Sequence, residues 1–243
     1  MIKGLYITAS GMYPRELEQE VTANNLANLN TTGFKKDEVY FKKVLDASLI
    51  LNVAQGGRDQ LLKAQQVTTD FEQGTLEPTN NPLNLAIDGK GLFAITTPEG
   101  EKYTRNGNFL LDAENRLIDG EGNFVLGESG AITFTEGEIN IRENGEIYQN
   151  GMLIDKIKIV DFPQPYALEK KGNSNFVPVE ADLRPVEAEH YVIRQGYLEN
   201  SNVNPIQEMV KMITITRNFQ AGQKLIQIQD RTLQKAINEV SKF

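Results

Sequence analysis

Residues 92–109 have the sequence LFAITTPEGEKYTRNGNF, and this stretch decides the fold class. Branched and aromatic residues occur in short runs, as at 92–95, and the turn-forming groups Pro98-Glu99-Gly100 and Asn106-Gly107 separate them. Asn-Gly favours a two-residue hairpin turn, because both central residues of a type I′ turn need positive φ. Turns at this spacing leave no room for crossover helices, so the stretch predicts antiparallel β structure.

The same pattern continues along the middle of the chain. Strand-like runs occur at 132–134 and 157–160. Further turn signals separate them, at Asp119-Gly120, Asn144-Gly145 and Asn150-Gly151. We therefore predict an antiparallel all-β central domain over residues 81–195, preceded by an extended linker region over 36–80.

The two ends of the chain predict helices, which makes the fold class α+β. Asn204 followed by Pro205 is typical of a helix start, because Asn caps the helix and Pro fits its first position. The C-terminal helix is expected within 196–243. The N-terminal helix and an Asn-rich motif are expected within 1–35, with the helix restarting at Pro14.

One face of the C-terminal helix is apolar at every seventh position. Its members are Met212, Phe219, Ile226, Leu233 and Val240. The neighbouring column is apolar only at its ends, and consists of Met209, Thr216, Gln223, Asp230 and Ile237. A helix of this length, roughly 57 Å at ~1.5 Å per residue, exceeds the diameter of the β core, roughly 30–35 Å. It therefore needs a partner, either the other chain end or another subunit, unless it is an ordinary amphipathic helix lying on the β domain.

The segment 23–35, ANNLANLNTTGFK, is the most unusual in composition. Asn24 and Asn28 are one helical turn apart, so both amides can face one partner. We expect Thr31-Thr32-Gly33 to end the helix, with Gly33 as its left-handed cap and Phe34 packing back against it. The alternative is an Asn-rich loop.

Composition excludes several kinds of chemistry. The chain has no Cys, a single His (His190) and a formal net charge of −8, and this whole charge lies within 81–195. A net-acidic domain argues against nucleic-acid binding. No apolar stretch is long enough for a membrane span, and the N-terminus lacks the apolar core of a cleaved signal peptide. We expect no cofactor, no metal and no small-molecule substrate.

Two acidic groups are candidate sites. Asp119, Glu121 and Asn123 alternate as calcium ligands can, although the loop lacks the glycine and the closing acid of an EF-hand. Glu136 and Glu138 are two nearby carboxylic acids, as glycosidases use for catalysis. The alternative function is therefore a β-domain enzyme acting on polysaccharide, or a carbohydrate-binding module. Solvated acidic turns are the preferred interpretation of both groups.

Three blocks carry a family resemblance. The segment 23–35 resembles the N-terminal signature of the bacterial flagellar rod and hook proteins. Residues 85–93, LAIDGKGLF, with 103–109, YTRNGNF, resemble the start of that family's central β domain. Residues 195–203, QGYLENSNV, with the helix through Arg217-Asn218-Phe219, resemble its C-terminal end.

The resemblance implies a structural rod subunit without enzymatic activity. Its terminal helices would pair into a coiled-coil-like assembly domain that polymerises into a tubular drive shaft, transmitting torque from motor to hook. Its partners would be other rod and hook proteins and the flagellar export apparatus, which would bring it to the periplasm-spanning rod without a cleaved signal peptide. Chain length and the continuation 127–162 favour a proximal-rod protein over its distal-rod paralogue. The residues expected at the assembly interface are Asn24, Asn25, Asn28, Thr32, Gly33, Phe34, Met212, Phe219, Ile226, Leu233 and Val240.

Overall fold

The computed structural model describes residues 2–41, 65–180 and 182–240, and these residues form two compact units. Each unit is assembled from segments that are separate in sequence. The helical unit draws on 1–28, 36–70 and 203–243, and the β unit on 29–35 and 71–202. The predicted linker, 36–80, is thereby divided between the two units, and its residues 42–64 lie outside the described part of the chain.

The helical unit contains two long helices that pack against each other, α1 (Ile2–Ala27) and α2 (Pro205–Val240). The predicted start of α2 is confirmed, since Asn204 Oδ1 accepts the backbone N–H groups of Ile206 at 3.1 Å and Gln207 at 3.2 Å. The predicted restart at Pro14 is wrong, because α1 continues through it. Proline removes one backbone donor, and packing of a long helix can offset that loss.

A two-stranded antiparallel ribbon completes the helical unit. Strand β1 (Asp37–Phe41) pairs with β2 (Gln65–Thr69), and Asp37 lies opposite Thr69. The Lys36 ammonium contacts Glu38 at 3.0 Å and Asp70 at 3.2 Å, which joins the start of β1 to the residue that follows β2.

The β unit consists of short strands joined by tight turns. They are β3 (Leu76–Pro78), β4 (Leu85–Gly89), β5 (Leu92–Thr97), β6 (Gly100–Thr104), β7 (Leu110–Leu111), β8 (Leu117–Ile118), β9 (Phe124–Gly127), β10 (Gly130–Ala131), β11 (Ile139–Ile141), β12 (Glu146–Gln149), β13 (Met152–Lys156), β14 (Ile159–Asp161), β15 (Leu168–Lys170), β16 (Asn175–Pro178), β17 (Val186–Glu187), β18 (Tyr191–Gln195) and β19 (Tyr197–Glu199). The largest sheet has the order β15-β16-β6-β5-β9-β8-β7, with β10 beside β9 and with β14 linking β5 to β17. Smaller sheets are β11-β12-β13, β18-β4 and β19-β3.

The predicted antiparallel architecture is confirmed, since every strand pair of the described residues is antiparallel. The run 92–95 lies in β5, but 132–134 forms only an isolated bridge between Thr133 and Arg116. Ile132 and Phe134 are nevertheless buried, so their apolar character reflects the core rather than a regular strand.

Two apolar clusters form the core of the β unit. The larger one contains Phe93 and Phe109, whose rings meet edge to face with centroids 5.1 Å apart. The second contains Tyr103 and Phe162, with ring centroids at 4.9 Å. Aromatic pairs of this geometry add to the stabilisation that burial provides.

Within the described residues, neither helix combines the length and apolarity that a membrane span requires.

Candidate assembly interface

The face of α2 that packs toward α1 has two columns of covered residues. The predicted column Met212, Phe219, Ile226 and Leu233 is half-buried throughout. Val240 is the last residue of α2, and its side chain lies outside the described part of the structure. The second column differs from the neighbouring heptad column, in which Met209, Gln223 and Asp230 are exposed and Thr216 is half-buried. It is formed by Glu208, Ile215, Gly222 and Gln229.

This second column allows close approach of the helices, but it is partly polar. A Cβ atom added at Gly222 would lie 3.2 Å from Met12 Cγ of α1. Ile215 is 3% exposed. Glu208 Oε2 and Gln229 Oε1 are buried without a hydrogen-bond partner among the described residues, and so is Thr22 Oγ1 of α1. Unsatisfied buried polar groups cost about 1–3 kcal/mol each, so the pairing of the helices within one chain is weakened at these positions.

The solvent-facing sides of α2 carry large apolar side chains that are exposed. They are Ile206, Met209, Val210, Ile213, Leu225 and Ile228. Exposed apolar residues scattered singly are ordinary, but a series along one helix is typical of a surface that contacts another protein.

The Asn-rich motif lies at the end of α1, where Asn25 has an intrachain role. Asn25 is fully buried, its Nδ2 donates to the carbonyl of Asp37 at 2.9 Å, and its Oδ1 accepts the N–H of Asp37 at 2.9 Å. This pair of bonds fastens the end of α1 to the start of β1. Asn24 is exposed, and Asn28 Nδ2 donates to the Asn24 carbonyl at 2.9 Å.

The expected cap at Gly33 is a turn, but it is not the end of the helix. Helix α1 stops at Ala27, where the Asn28 side chain competes for a helical carbonyl. Gly33 has φ +67°, as predicted for a left-handed position, and a Cβ atom there would lie 2.4 Å from the Asn106 nitrogen. Thr32 is half-exposed and Phe34 is buried. Only glycine satisfies both the backbone angle and the available space at position 33.

A buried ion cluster follows directly, formed by Lys35, Arg105 and Glu199. The Lys35 ammonium binds Glu199 Oε1 and the Glu72 carbonyl, the latter at 2.7 Å. Arg105 Nη1 approaches Glu199 Oε2 at 3.3 Å. The side chains of Lys35 and Glu199 are fully buried and that of Arg105 is 6% exposed.

Backbone groups satisfy the remaining bonds of the ion cluster. Arg105 Nη2 donates to the Gly89 carbonyl at 2.6 Å, and Gly74 N–H donates to Glu199 Oε1 at 2.9 Å. The Gly33 N–H donates to the Glu199 carbonyl at 2.7 Å. The cluster therefore holds together the segments around residues 33–35, 72–74 and 199. Each of these segments lies near a point where the chain passes from one unit to the other.

Sequence reasoning missed the ion cluster. Lys35, Arg105 and Glu199 each lie in a block quoted above for its resemblance, but their pairing joins positions up to 164 residues apart. No local pattern marks these charges as buried, since polar residues flank Arg105 on both sides and follow Glu199.

The two candidate acidic groups, at 119–123 and at 136–138, do not form sites of this kind. Asp119 Oδ1 accepts the N–H groups of Glu121 at 2.8 Å and Asn123 at 2.9 Å, so this carboxylate holds its own turn. Glu136 and Glu138 are exposed. His190 is exposed as well, and its carbonyl accepts the Lys90 N–H. In the described part of the chain, no group of three acidic or His side chains has the arrangement of a metal site.

Three family models match the chain, in the order of its three blocks. The model described as flagella basal body rod protein matches residues 5–35. The flagellar hook protein FlgE/F/G D1 domain matches 86–149, and the flagellar basal body rod FlgEFG protein C-terminal model matches 194–239. Each matched segment contains one member of the ion cluster.

Curated relatives align over nearly the whole chain. The flagellar basal-body rod protein FlgG of Bacillus subtilis (strain 168) is 32% identical, covering 98% of this chain and 99% of its own length. The flagellar basal-body rod protein FlgF of Rhizobium meliloti (strain 1021) is 32% identical, covering 98% and 97%. The FlgG protein of Borreliella burgdorferi (strain ATCC 35210 / DSM 4680 / CIP 102532 / B31) is 30% identical, covering 98% of each.

Fold and matches together define a structural protein of the flagellar rod and hook class, and not an enzyme. The chain belongs to the family of flagellar basal-body rod proteins. The predicted family, its structural role and its basal-body location are confirmed, and the enzymatic alternative is discarded. The preference for a proximal-rod paralogue stays a prediction.

Proposed function

We propose that this chain polymerises through its terminal helices into the tubular rod that transmits torque from motor to hook. The observation that carries the proposal is the two-sided character of α2. One face packs toward α1, and the solvent-facing sides expose Ile213, Leu225 and Ile228, which are 53%, 52% and 58% exposed. A helix with a second apolar face is suited to contact neighbouring copies in a lattice.

The pairing of α1 with α2 is proposed to be coiled-coil-like. Covered positions of α2 alternate in steps of four and three residues, as Glu208, Met212, Ile215, Phe219 and Gly222 illustrate. This is the spacing of knobs-into-holes packing. The predicted column Met212, Phe219, Ile226, Leu233 and Val240 would then form the intrachain part of the assembly domain, and the exposed apolar face would form the part between subunits.

The N-terminal site residues support this arrangement in two ways. Exposed Asn24 and half-exposed Asn28 present amide groups that can donate to and accept from a neighbouring subunit. The chain leaves α1 and enters the β unit between Asn25 and Phe34. Asn25 is bonded to Asp37 before this point, and Thr32, Gly33 and Phe34 follow it.

The remaining elements of the proposal concern partners and location. Other rod and hook proteins are the proposed neighbours, since the matched models are named for both. The flagellar export apparatus is the proposed route to a rod that crosses the periplasm, without a cleaved signal peptide.

A matched pair of variants on α2 tests the proposal. Ile228→Asp places a charge on the exposed apolar face, and Gln227→Asp places the same charge on an exposed neighbour that is polar. Both variants should melt as the wild type does, because neither position is buried in the monomer. In cells that lack the wild-type copy, Ile228→Asp should abolish motility and recovery of the chain in basal bodies, whereas Gln227→Asp should retain both. Normal motility with Ile228→Asp would refute a subunit contact on this face.

A further inference from the structure

The hairpin formed by β12 and β13 ends in apolar residues that are exposed. Asn150 and Gly151 make its turn with φ of 51° and 81°, the positive pair that a type I′ turn requires. The next three residues, Met152, Leu153 and Ile154, are 73%, 56% and 39% exposed. Met152 is the most exposed apolar side chain reported for the described residues.

The position of β13 explains why this exposure is unusual. It is the edge strand of the sheet β11-β12-β13. Successive side chains of a strand point to opposite faces, so exposure of three in a row means that solvent reaches both faces near the tip. Edge strands of soluble proteins usually carry charged side chains that discourage association. Three apolar residues here are typical of an edge that is covered by a partner.

A groove lies at the other end of the same strand. It has a volume of about 840 Å³, and Leu126, Val160, Pro185, Val186 and Tyr191 provide apolar surface. Val186 is 52% exposed, so part of this surface faces solvent. The groove opens between the hairpin β9–β10 and the short edge strand β17, both of which contribute residues to its wall.

The charges of the groove are largely compensated within the chain. Lys156 binds Glu128 at 2.9 Å and Glu187 at 3.2 Å, and the hydrogen bond to Glu128 raises the pKa of Lys156. Lys158 lies 2.8 Å from Glu101. A groove with apolar walls and charges on its rim is suited to an apolar tip whose own charged neighbours lie beside the rim and not between the walls.

The tip and the groove are suited to each other. We propose that Met152 and Leu153 of one copy enter the groove of the next copy along the rod. The proposal rests on the proposed function, since it takes a second copy of this chain as the occupant. Met152 at the tip and Lys156 at the groove are four residues apart in β13, roughly 13 Å at ~3.3 Å per residue. The tip and the groove therefore lie at opposite ends of one strand.

This placement makes the contact directional. A contact between two different surfaces of the same molecule is heterologous, and its repetition generates an open helical array rather than a closed pair. The exposed carboxylates of Glu136 and Glu138 accompany the tip, since Asn150 Nδ2 donates to the Glu136 carbonyl at 3.2 Å and Asn150 N–H to the Glu138 carbonyl at 3.4 Å. They would approach the rim at Lys158, whose ammonium has more donors than its one ion pair with Glu101 uses.

Cysteine cross-linking tests the contact directly, because the chain contains no cysteine. Cells expressing only Met152→Cys/Val186→Cys are oxidised, and basal bodies are isolated and analysed without reductant. A head-to-tail contact predicts a ladder of covalent dimers, trimers and longer species. Met152→Cys alone and Val186→Cys alone should each remain monomeric, because neither position meets itself. Met152→Cys/Val179→Cys is the matched control, since Val179 is 62% exposed but does not line the groove.

A second pair of variants tests the same contact if Met152→Cys/Val186→Cys is not incorporated into basal bodies. Met152→Asp should melt as the wild type does and be lost from basal bodies by at least tenfold, whereas Val179→Asp should be retained. Retention of Met152→Asp, or incorporated Met152→Cys/Val186→Cys chains without a ladder, would overturn the contact and leave the rod function intact. Absence of the wild-type chain from basal bodies would instead overturn the proposed function.

Discussion

The β unit and the helical unit bury their apolar residues to very different extents. In the β unit, Leu85, Ile87, Phe93, Phe109 and Phe176 are all 0% exposed. Among the side chains described for the helical unit, the buried apolar ones are Val21, Val203 and Ile215. The β unit therefore has a completed core, while the described side chains of the helical unit leave much of their apolar surface exposed. The difference is what we expect if the β unit folds by itself and, as proposed above, contacts between subunits complete the helical unit.

The largest effect that distinguishes the two units should come from Glu199→Leu. The change leaves the ammonium of Lys35 and the guanidinium of Arg105 buried without their carboxylate, and breaking a buried ion pair in this way costs about 3–5 kcal/mol. Hydrogen exchange at the Phe93 amide should report this loss in the β unit.

The double variant Lys35→Met/Glu199→Leu is the control for that experiment. It removes one buried charge of each sign and should recover part of the stability. Wild-type exchange at Phe93 in Glu199→Leu would show that the ion cluster does not stabilise the β unit.

A smaller effect, confined to the helical unit, is expected for Phe219→Asp. Phe219 is half-buried on the face of α2 that packs toward α1, so the change should cost about 2 kcal/mol, roughly half the value for a fully buried phenylalanine. Helical circular dichroism should fall, and exchange at the Ile226 amide should accelerate, while exchange at Phe93 stays constant. Ile228→Asp, on the exposed face, should leave both amides unchanged in the monomer. Equal behaviour of the two variants would show that the faces of α2 are not distinct.

The smallest effect concerns pH and should appear only in the β unit. Burial, with the Glu101 carboxylate beside it, raises the pKa of Tyr103 from 10.0 to about 12. A folded-state pKa above the unfolded value means that the protonated phenol stabilises the fold fully below pH 10, and that this contribution is lost as the pH rises through about 12. Unfolding of the β unit should therefore become easier across this window. Tyr103→Phe should lessen that dependence, and an unaltered slope between pH 10 and 12 would contradict the assignment.

Local chemistry made much of the fold predictable. The positive φ values at Gly33, Asn150 and Gly151 follow from residue type, and the start of α2 follows from Asn204 and Pro205. Their signals lie within a few neighbouring residues. The same reasoning failed at Pro14, because packing along the whole of α1 outweighed a local preference.

The residues of the candidate interface were only partly predictable, since their neighbours are distant in sequence. The repeat of seven located Phe219 and Ile226 correctly on a covered face. It did not indicate the second covered column, because Glu208 and Gly222 are not apolar and only the position of α1 identifies them as covered. The pairing of Lys35 with Glu199 has no local signal at all.

The division of the helical unit between distant segments has a consequence for synthesis. The ribosome completes α1 at Ala27, but its partner helix begins only at Pro205 and ends at Val240. At a synthesis rate of ~5–20 residues per second, the end of α2 is made roughly ten to forty seconds after the end of α1. All segments of the β unit are made during this delay. The nascent chain can therefore close its β core before the helices meet.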